Sequence, residues 1–537
     1  MTLPSRERRF EQLLDRPVDV AIVGGGITGA GIALDLALRG LRVVVVEKND
    51  WASATSGASS RLVHGGLRYL EQFEFSLVRD SCIERARLLH NAAGLVWPET
   101  FLFPLRRGDR VGPVKLALGL GLYTALSVPH ALGIPRILGK TETMRRLPGI
   151  DASGLRAAGS YLDGSTDDAR LTLAIVQSAL GAGALALSRV EALAVEGGRS
   201  GCSLRLKDGI TGSEHTIEAA RVVLAGGPFT ESLRSVAGLG GSWISATRGS
   251  HIVVPRHRLP TDGAVILSSA VDGRVMFLIP WPRYTIVGTT DLDAPAESPV
   301  NASREEVQYL LDSANALVPE AGLVPDDVVS TWAGLRPLLT APSTSPSARS
   351  REERVEVEQG IYTIAGGKLT GYRSMAEKLC ARLVEDLGRG AAGRRSPTYD
   401  HRLVGSLDSP VPRPAWSSLP LSDGAGALEV AWARRYAGRI EEVRRSCGEN
   451  NGLEPLNDET VLGEVDWAVR EEDCLGLADF FLRRTDLGHS PQALDTEVIE
   501  RVSRRMAAAL GWDEEAELRQ SAELRNALGC AREWSRL

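Results

Sequence analysis

The sequence predicts an α/β protein: a Rossmann-like domain with an interleaved mixed β-sheet domain, followed by an α-helical C-terminal domain. Three observations predict it. A strand–glycine turn–helix–strand unit opens the chain at Asp19–Glu47. A stretch far downstream, Val275–Asp291, alternates and turns like two antiparallel strands. From about residue 413 to 537 the apolar residues recur with helical spacing among many charges.

The opening unit is the most explicit. Asp19–Val23 is a short β-branched run read as a buried strand, Ala30–Arg39 is a helix ended by Gly40, and Leu41–Glu47 is a second buried strand. Between the first strand and the helix stand Gly24, Gly26 and Gly29, a GxGxxG turn that also holds Thr28. The first glycine allows the tight turn, the second lets backbone approach a pyrophosphate, and the third lets helix and strand pack closely. The helix N-terminus presents free N–H groups and the positive end of its dipole to the phosphates. Glu47 closes the second strand, where a carboxylate accepts both hydroxyls of an adenosine ribose.

Three further segments suit a longer dinucleotide. Ala54–Tyr69 follows Glu47 almost at once and offers Thr55, Ser56, Ser60, His64, Gly65 and Gly66. Ala219–Gly227 is a strand ending in Gly226 and Gly227. Tyr362–Thr370 is a strand entering the turn Gly366, Gly367, Lys368, Leu369, Thr370. Four such elements from distant parts of the chain point to one extended cofactor, and that pattern favours FAD over NAD.

Composition narrows the class. At 537 residues the chain is too long for one core. A formal charge of −6 argues against nucleic acid as partner. The 6 cysteines are scattered without a CxxC or Cys/His cluster, so neither a disulfide framework nor a metal site is expected. The opening residues lack the apolar run of a secretory signal, and Glu7, Glu11 and Asp15 argue against a transit peptide. A cytoplasmic location is therefore expected. Gly112–Gly133 comes nearest to a membrane span, but Lys115, His130 and two prolines interrupt it. An amphipathic helix packed on the protein or lying on a bilayer is the better reading.

At these residues the chain resembles the FAD-dependent glycerol-3-phosphate dehydrogenases, within the D-amino-acid-oxidase-like flavoproteins. The matching segments are GGGITGAG (24–31), SSRLVHGGLRYL (59–70), DDAR (167–170), GSHIVVP (249–255), FLIPWPRYTIVGTTD (277–291), GLRPL (334–338) and GGKLTGY (366–372). They run in the family's order over roughly residues 17–385, with a weaker match ending LRRT at Thr485. Two departures stand out. The family's Ala-Thr-Gly-Pro-Trp is Ala225-Gly226-Gly227-Pro228-Phe229 here, and its Ser-Ser-Lys-Leu is Ser59-Ser60-Arg61-Leu62. Both leave room for a changed substrate, the second because Arg and Lys differ at bidentate sites.

The resemblance implies oxidation of sn-glycerol 3-phosphate to dihydroxyacetone phosphate by hydride transfer to FAD, with electrons passed to a quinone at the inner face of the cell membrane. A phosphate-bearing alcohol needs cationic clamps and a base. Arg68, Arg336 and Lys368 are the expected substrate cations, with Arg336 on a loop, Tyr69 beside them and Arg351 as a phosphate clamp. His251 is expected as the base or as a group assisting it, with Tyr69 a further candidate for the base, Arg336 and Lys368 the other catalytic residues, and His64 a flavin contact. Thr289-Thr290-Asp291 is expected to shape the sheet and not to do chemistry. Residues 17–385 form the expected oxidoreductase domain, with a substrate subdomain at roughly 75–163 and 238–333. Residues 386–412 read as a linker and 413–537 as the helical domain. A homodimer, an oxidase using oxygen, and an amine or amino-acid oxidase on the same fold stay open.

Overall fold

The computed structural model describes residues 4–109, 111–198, 200–296, 300–340, 353–389, 395–411, 426–449, 451–532 and 534. Its first sheet has the strand order Glu353–Glu358, Ile361–Gly366, Glu214–Leu224, Val18–Val23, Val43–Glu47, Leu185–Ser188. All neighbours from Ile361–Gly366 onward are parallel. Val43–Glu47 shows why the strands form here. Val43 and Val45 join Val20 and Ile22 against the helices Ile27–Leu38 and Asp168–Gly181. Val44 and Val46 join Ala21 and Val23 in the opposite layer, with Phe10 and Leu13 of the N-terminal helix Arg6–Asp15. A parallel strand covered on both faces must be apolar at every position, and each such side chain contributes roughly 1.5–3 kcal/mol. The helix after the glycine turn begins at Ile27, earlier than the expected Ala30, because the glycine turn supplies its first turn.

The second sheet runs Leu292–Asp293, Thr247–Pro255, Tyr284–Gly288, Val275–Pro280, Ala264–Ser268, Val96–Arg106, Leu155–Thr166, Leu62–Val63. Ser330–Arg336 adds to Thr247–Pro255, pairing His251 with Trp332 and Thr247 with Arg336. Arg336 is therefore the last residue of a strand and not part of a loop. Val275–Pro280 and Tyr284–Gly288 are the antiparallel pair expected from their alternation.

The C-terminal region is helical, with Gly463–Glu472, Thr496–Leu510 and Glu514–Cys530 around a core of Val465, Phe480, Phe481, Leu487, Val502 and Met506. Residues 395–411, within the stretch read as a linker, lie on the first domain. Ser396 bonds to Asp35, Leu403 is buried in the core beneath the first sheet, and Leu407 N donates to Ala93 O. Gly-, Ser- and Pro-rich composition reports irregular backbone, which is a separate matter from detachment.

Within Gly112–Gly133 the helix is Pro113–Ser127. Leu116, Leu120 and Tyr123 face the core, while Val114, Leu118 and Leu122 are exposed. No helix among the described residues is long and apolar enough to cross a membrane.

Candidate active site

A cavity of about 1820 Å³ runs past both sheets, well above the roughly 300–1,000 Å³ of a small-ligand cleft. Glu47, Lys48, Asn49 and Glu191 line one end. Gly24, Gly26, Thr28, Thr55, Ser56 and Gly226 follow, and Ser60, His64, Gly66, Arg68, His251, Arg336 and Gly366–Thr370 line the other. Gly29, Gly65 and Tyr69 stand behind this surface.

At the first end the glycine spacing has a steric cause. Gly24 has φ +121°, and a Cβ there would lie 2.4 Å from Ala225 O. A Cβ on Gly29 would lie 2.0 Å from Gly24 O, so only glycine lets the helix approach the turn. Gly26 is the N-cap and supplies no side-chain cap; Ile27 N donates to Ser56 Oγ at 3.0 Å. Glu47 accepts from Gly25 N at 2.7 Å and Asn49 N at 2.8 Å. Burial raises its pKa above the ordinary carboxylate value.

At the other end the groups arrive separately. Ser60 Oγ lies 2.8 Å from His251 Nε2, and the buried imidazole stacks on Trp332 at 5.1 Å. Burial, then the charges of Arg336 and Arg61, push the His251 pKa down to about 3. The ring is thus neutral near pH 7, and its protonated form is strongly disfavoured until another charge enters. Arg336 Nη1 donates to Asp291 Oδ1 at 2.9 Å and Nη2 to Thr289 Oγ1 at 2.9 Å. Lys368 Nζ sits 3.9 Å from the centre of the Tyr69 ring, and the Arg68 guanidinium 5.1 Å from the same ring. Tyr69 is therefore a platform under two cations. Thr370 Oγ1 donates to His64 O at 3.4 Å, joining two of the predicted cofactor segments. Thr55 Oγ1 donates to Leu335 O at 2.6 Å, tying another to the strand that ends at Arg336. Arg351 lies outside the described residues.

Two features were not legible from the residues alone. Asp291 grips Arg336, which the sequence reading left to sheet architecture; their proximity depends on both segments flanking Thr247–Pro255. Beneath Gly65, Asp163 accepts from Gly65 N, Arg85 and Tyr123 OH, at 3.1, 2.9 and 2.8 Å. Arg61 is absent from the cavity wall. Its guanidinium lies between Trp281 and Trp332, at 4.4 and 5.2 Å, and bonds to Asp486. The Lys-to-Arg departure at this position therefore sits in the packing between domains and reaches the site only through its charge on His251.

The residues fit FAD: a glycine cradle that any Cβ would fill, an uncapped helix N-terminus, a strand-end carboxylate and a continuous cavity from Glu47 to Lys368.

Comparison with known proteins agrees. A family model described as FAD dependent oxidoreductase matches residues 19–407, and one described as C-terminal domain of alpha-glycerophosphate oxidase matches 424–517. An aerobic glycerol-3-phosphate dehydrogenase of Staphylococcus saprophyticus is 37% identical over 507 residues, covering 89% of this chain and 88% of that one. The Staphylococcus aureus protein of the same name is 37% identical over 393 residues, covering 71% and 70%. The structure of a glycerol-3-phosphate dehydrogenase from Bacillus halodurans complexed with FAD aligns with TM-score 0.79 and 30% identity, over 98% of both chains. With its cofactor cradle, its two sheets and its C-terminal region all matched, the chain belongs to the FAD-dependent oxidoreductases and, among them, to the glycerol-3-phosphate dehydrogenase family.

Proposed function

We propose that the protein oxidises sn-glycerol 3-phosphate to dihydroxyacetone phosphate by hydride transfer to FAD, and that the electrons pass to a quinone. The observation that carries this reading is the set of cations Arg68, Arg336 and Lys368 on the wall that also holds His251. FAD, when bound, supplies the acceptor for the pair of electrons leaving the alcohol carbon. The protein's own residues bind, orient and deprotonate. Arg68 and Arg336 meet the phosphate and the reacting oxygens, Arg336 being held in one orientation by Asp291 and Thr289. Lys368, seated on Tyr69, adds a third positive charge. His251 Nε2 takes the hydroxyl proton, with Ser60 Oγ beside it. Arg336 is among the charges that hold this imidazole neutral. A phosphate dianion bound to that arginine offsets it and raises the basicity of His251 when substrate is present.

The quinone reading rests on the apolar surface near the cavity. Phe73, Phe103, Val111, Leu118 and Leu122 line it on the side of the helix Pro113–Ser127. Phe73 is also 78% exposed, and Val114 and Leu118 of the same helix are exposed beside it. Contact with the inner face of a membrane fits that surface.

Anaerobic addition of glycerol 3-phosphate should bleach the flavin absorbance, and D-amino acids should not; the reverse result would favour an amino-acid oxidase. Steady-state rates with a quinone analogue should exceed those with oxygen at saturating substrate. Faster turnover with oxygen would make the protein an oxidase.

A further inference from the structure

The C-terminal helical domain reaches the cofactor cradle through charges that are almost wholly buried. Asp50 lies three residues after Glu47, in the turn that follows the second strand. Its Oδ2 accepts from Arg484 Nη1 at 2.8 Å and Arg483 Nε at 2.6 Å, and its Oδ1 from Arg484 Nη2 at 2.8 Å. Both arginines belong to the turn Phe480–Arg484 of the C-terminal domain. Asp50 and Arg484 are each about 1% exposed.

The turn that Asp50 anchors is what supports the glycine loop. Ala52 N donates to Gly25 O at 3.2 Å, and Trp51 packs so closely that a Cβ on Gly25 would lie 2.6 Å from its ring. Glu47, on the other side of Asp50, accepts from Gly25 N. Two residues past Arg484, Asp486 holds a second cofactor segment. It bonds to Arg61, next to Ser60 in the cavity wall, and to Arg434, which also bonds to Asp167. Asp168 accepts from Ser59 N at 2.8 Å. One short C-terminal stretch, residues 483–486, thus grips the loops on both sides of the site.

Buried ion pairs are a poor source of net stability, because desolvating two charges offsets their attraction, but in some proteins they fix one geometry of the groups they join. Here the enforced geometry belongs to backbone that must meet a pyrophosphate closely. We infer that the C-terminal domain is a clamp on the FAD cradle, with Arg483 and Arg484 acting on Asp50 as positioning residues that set how tightly FAD is retained. The inference requires FAD alone and does not depend on the substrate or electron acceptor proposed above.

The test uses the full-length holoenzyme and reads FAD release by recovery of flavin fluorescence, together with Tm. Asp50→Asn and Arg484→Gln remove the clamp charge from either side. Arg9→Gln is the control: Arg9 is as buried and bonds to Asp473 at 2.6 Å, joining the same domains, but its hydrogen bonds reach neither cofactor loop. Asp50→Asn and Arg484→Gln should release FAD about tenfold faster or more, the scale on which supporting contacts behind a ligand-binding group act. Arg9→Gln should lower Tm and leave the release rate unchanged. Release from the two clamp variants at the rate of wild type or of Arg9→Gln overturns the inference, since the pairs would then be merely structural. If Arg484→Gln does not fold, Asp50→Asn, which removes charge without volume, decides by the same readout.

Discussion

At the Glu47 end of the cavity, contacts come from backbone arranged by four glycines within six residues; at the Arg336 end they come from side chains carried by segments near positions 60, 68, 251, 291, 336 and 368. The first end tolerates almost no change in side-chain volume, because helix, turn and strand touch at their backbones. The second is built of long, charged and aromatic groups whose positions depend on one another. A site made of backbone fails all at once when crowded, whereas a site made of side chains fails by degrees.

The largest effect should come from crowding the backbone end. Gly29→Val places a Cβ where Gly24 O already sits, at 2.0 Å, so protein that folds should be purified without flavin. The ratio of flavin to protein absorbance measures this, and full occupancy would contradict the steric account. Gly26→Val should also give flavin-free protein, and with less damage to the fold: within the protein its Cβ meets only Ser56 Oγ, at 3.1 Å, but the side chain stands where the pyrophosphate must approach the backbone.

Next comes Arg336→Ala at the side-chain end. Loss of a half-buried charged partner should cost about 2–4 kcal/mol in kcat/KM, with flavin content unchanged. Flavin loss in this variant would show the two ends to be coupled more tightly than their contacts indicate.

A smaller effect concerns pH. Burial lowers His251 and His489 from 6.5 to about 3, so folding keeps both neutral. The unfolded chain binds these protons below about pH 6.5, and the folded chain only near 3. The stability contributed by the neutral forms is complete above pH 6.5 and declines as the pH falls toward 3. The decline is at most about 1.4 kcal/mol per pH unit for each histidine. Denaturation across this window should give a shallower slope for His251→Asn than for wild type. An identical slope would mean that His251 is already charged in the fold.

The smallest effect is Ser60→Ala. It removes one hydrogen bond to His251, worth roughly 0.5–1.5 kcal/mol, and should lower kcat more than it raises KM. A change in KM alone would place Ser60 in binding and not beside the proton transfer.

The order of the opening strands, the glycine turn and Glu47 could be read directly, because a βαβ unit is local: neighbours in sequence are neighbours in space, and each glycine answers to an atom a few residues away or on the adjoining strand. The segments at 54–69, 219–227 and 362–370 were recognisable from their small residues, and the sheet carries the ends of the latter two side by side. The residues expected to bind substrate were found from the resemblance of short motifs and not from their chemistry, since 56 arginines make any one of them uninformative.

Sequence by itself thus determined the cofactor, the fold class and the cations worth watching. Tertiary structure alone decided that Tyr69 is a platform, that Asp291 holds Arg336, that His251 is buried to the point of neutrality, and that Arg61 turns toward the C-terminal domain. The physical reason is range. Strand periodicity and turn conformation are set by residues close in the chain, whereas desolvation and ion pairing depend on which distant surfaces close over a charge.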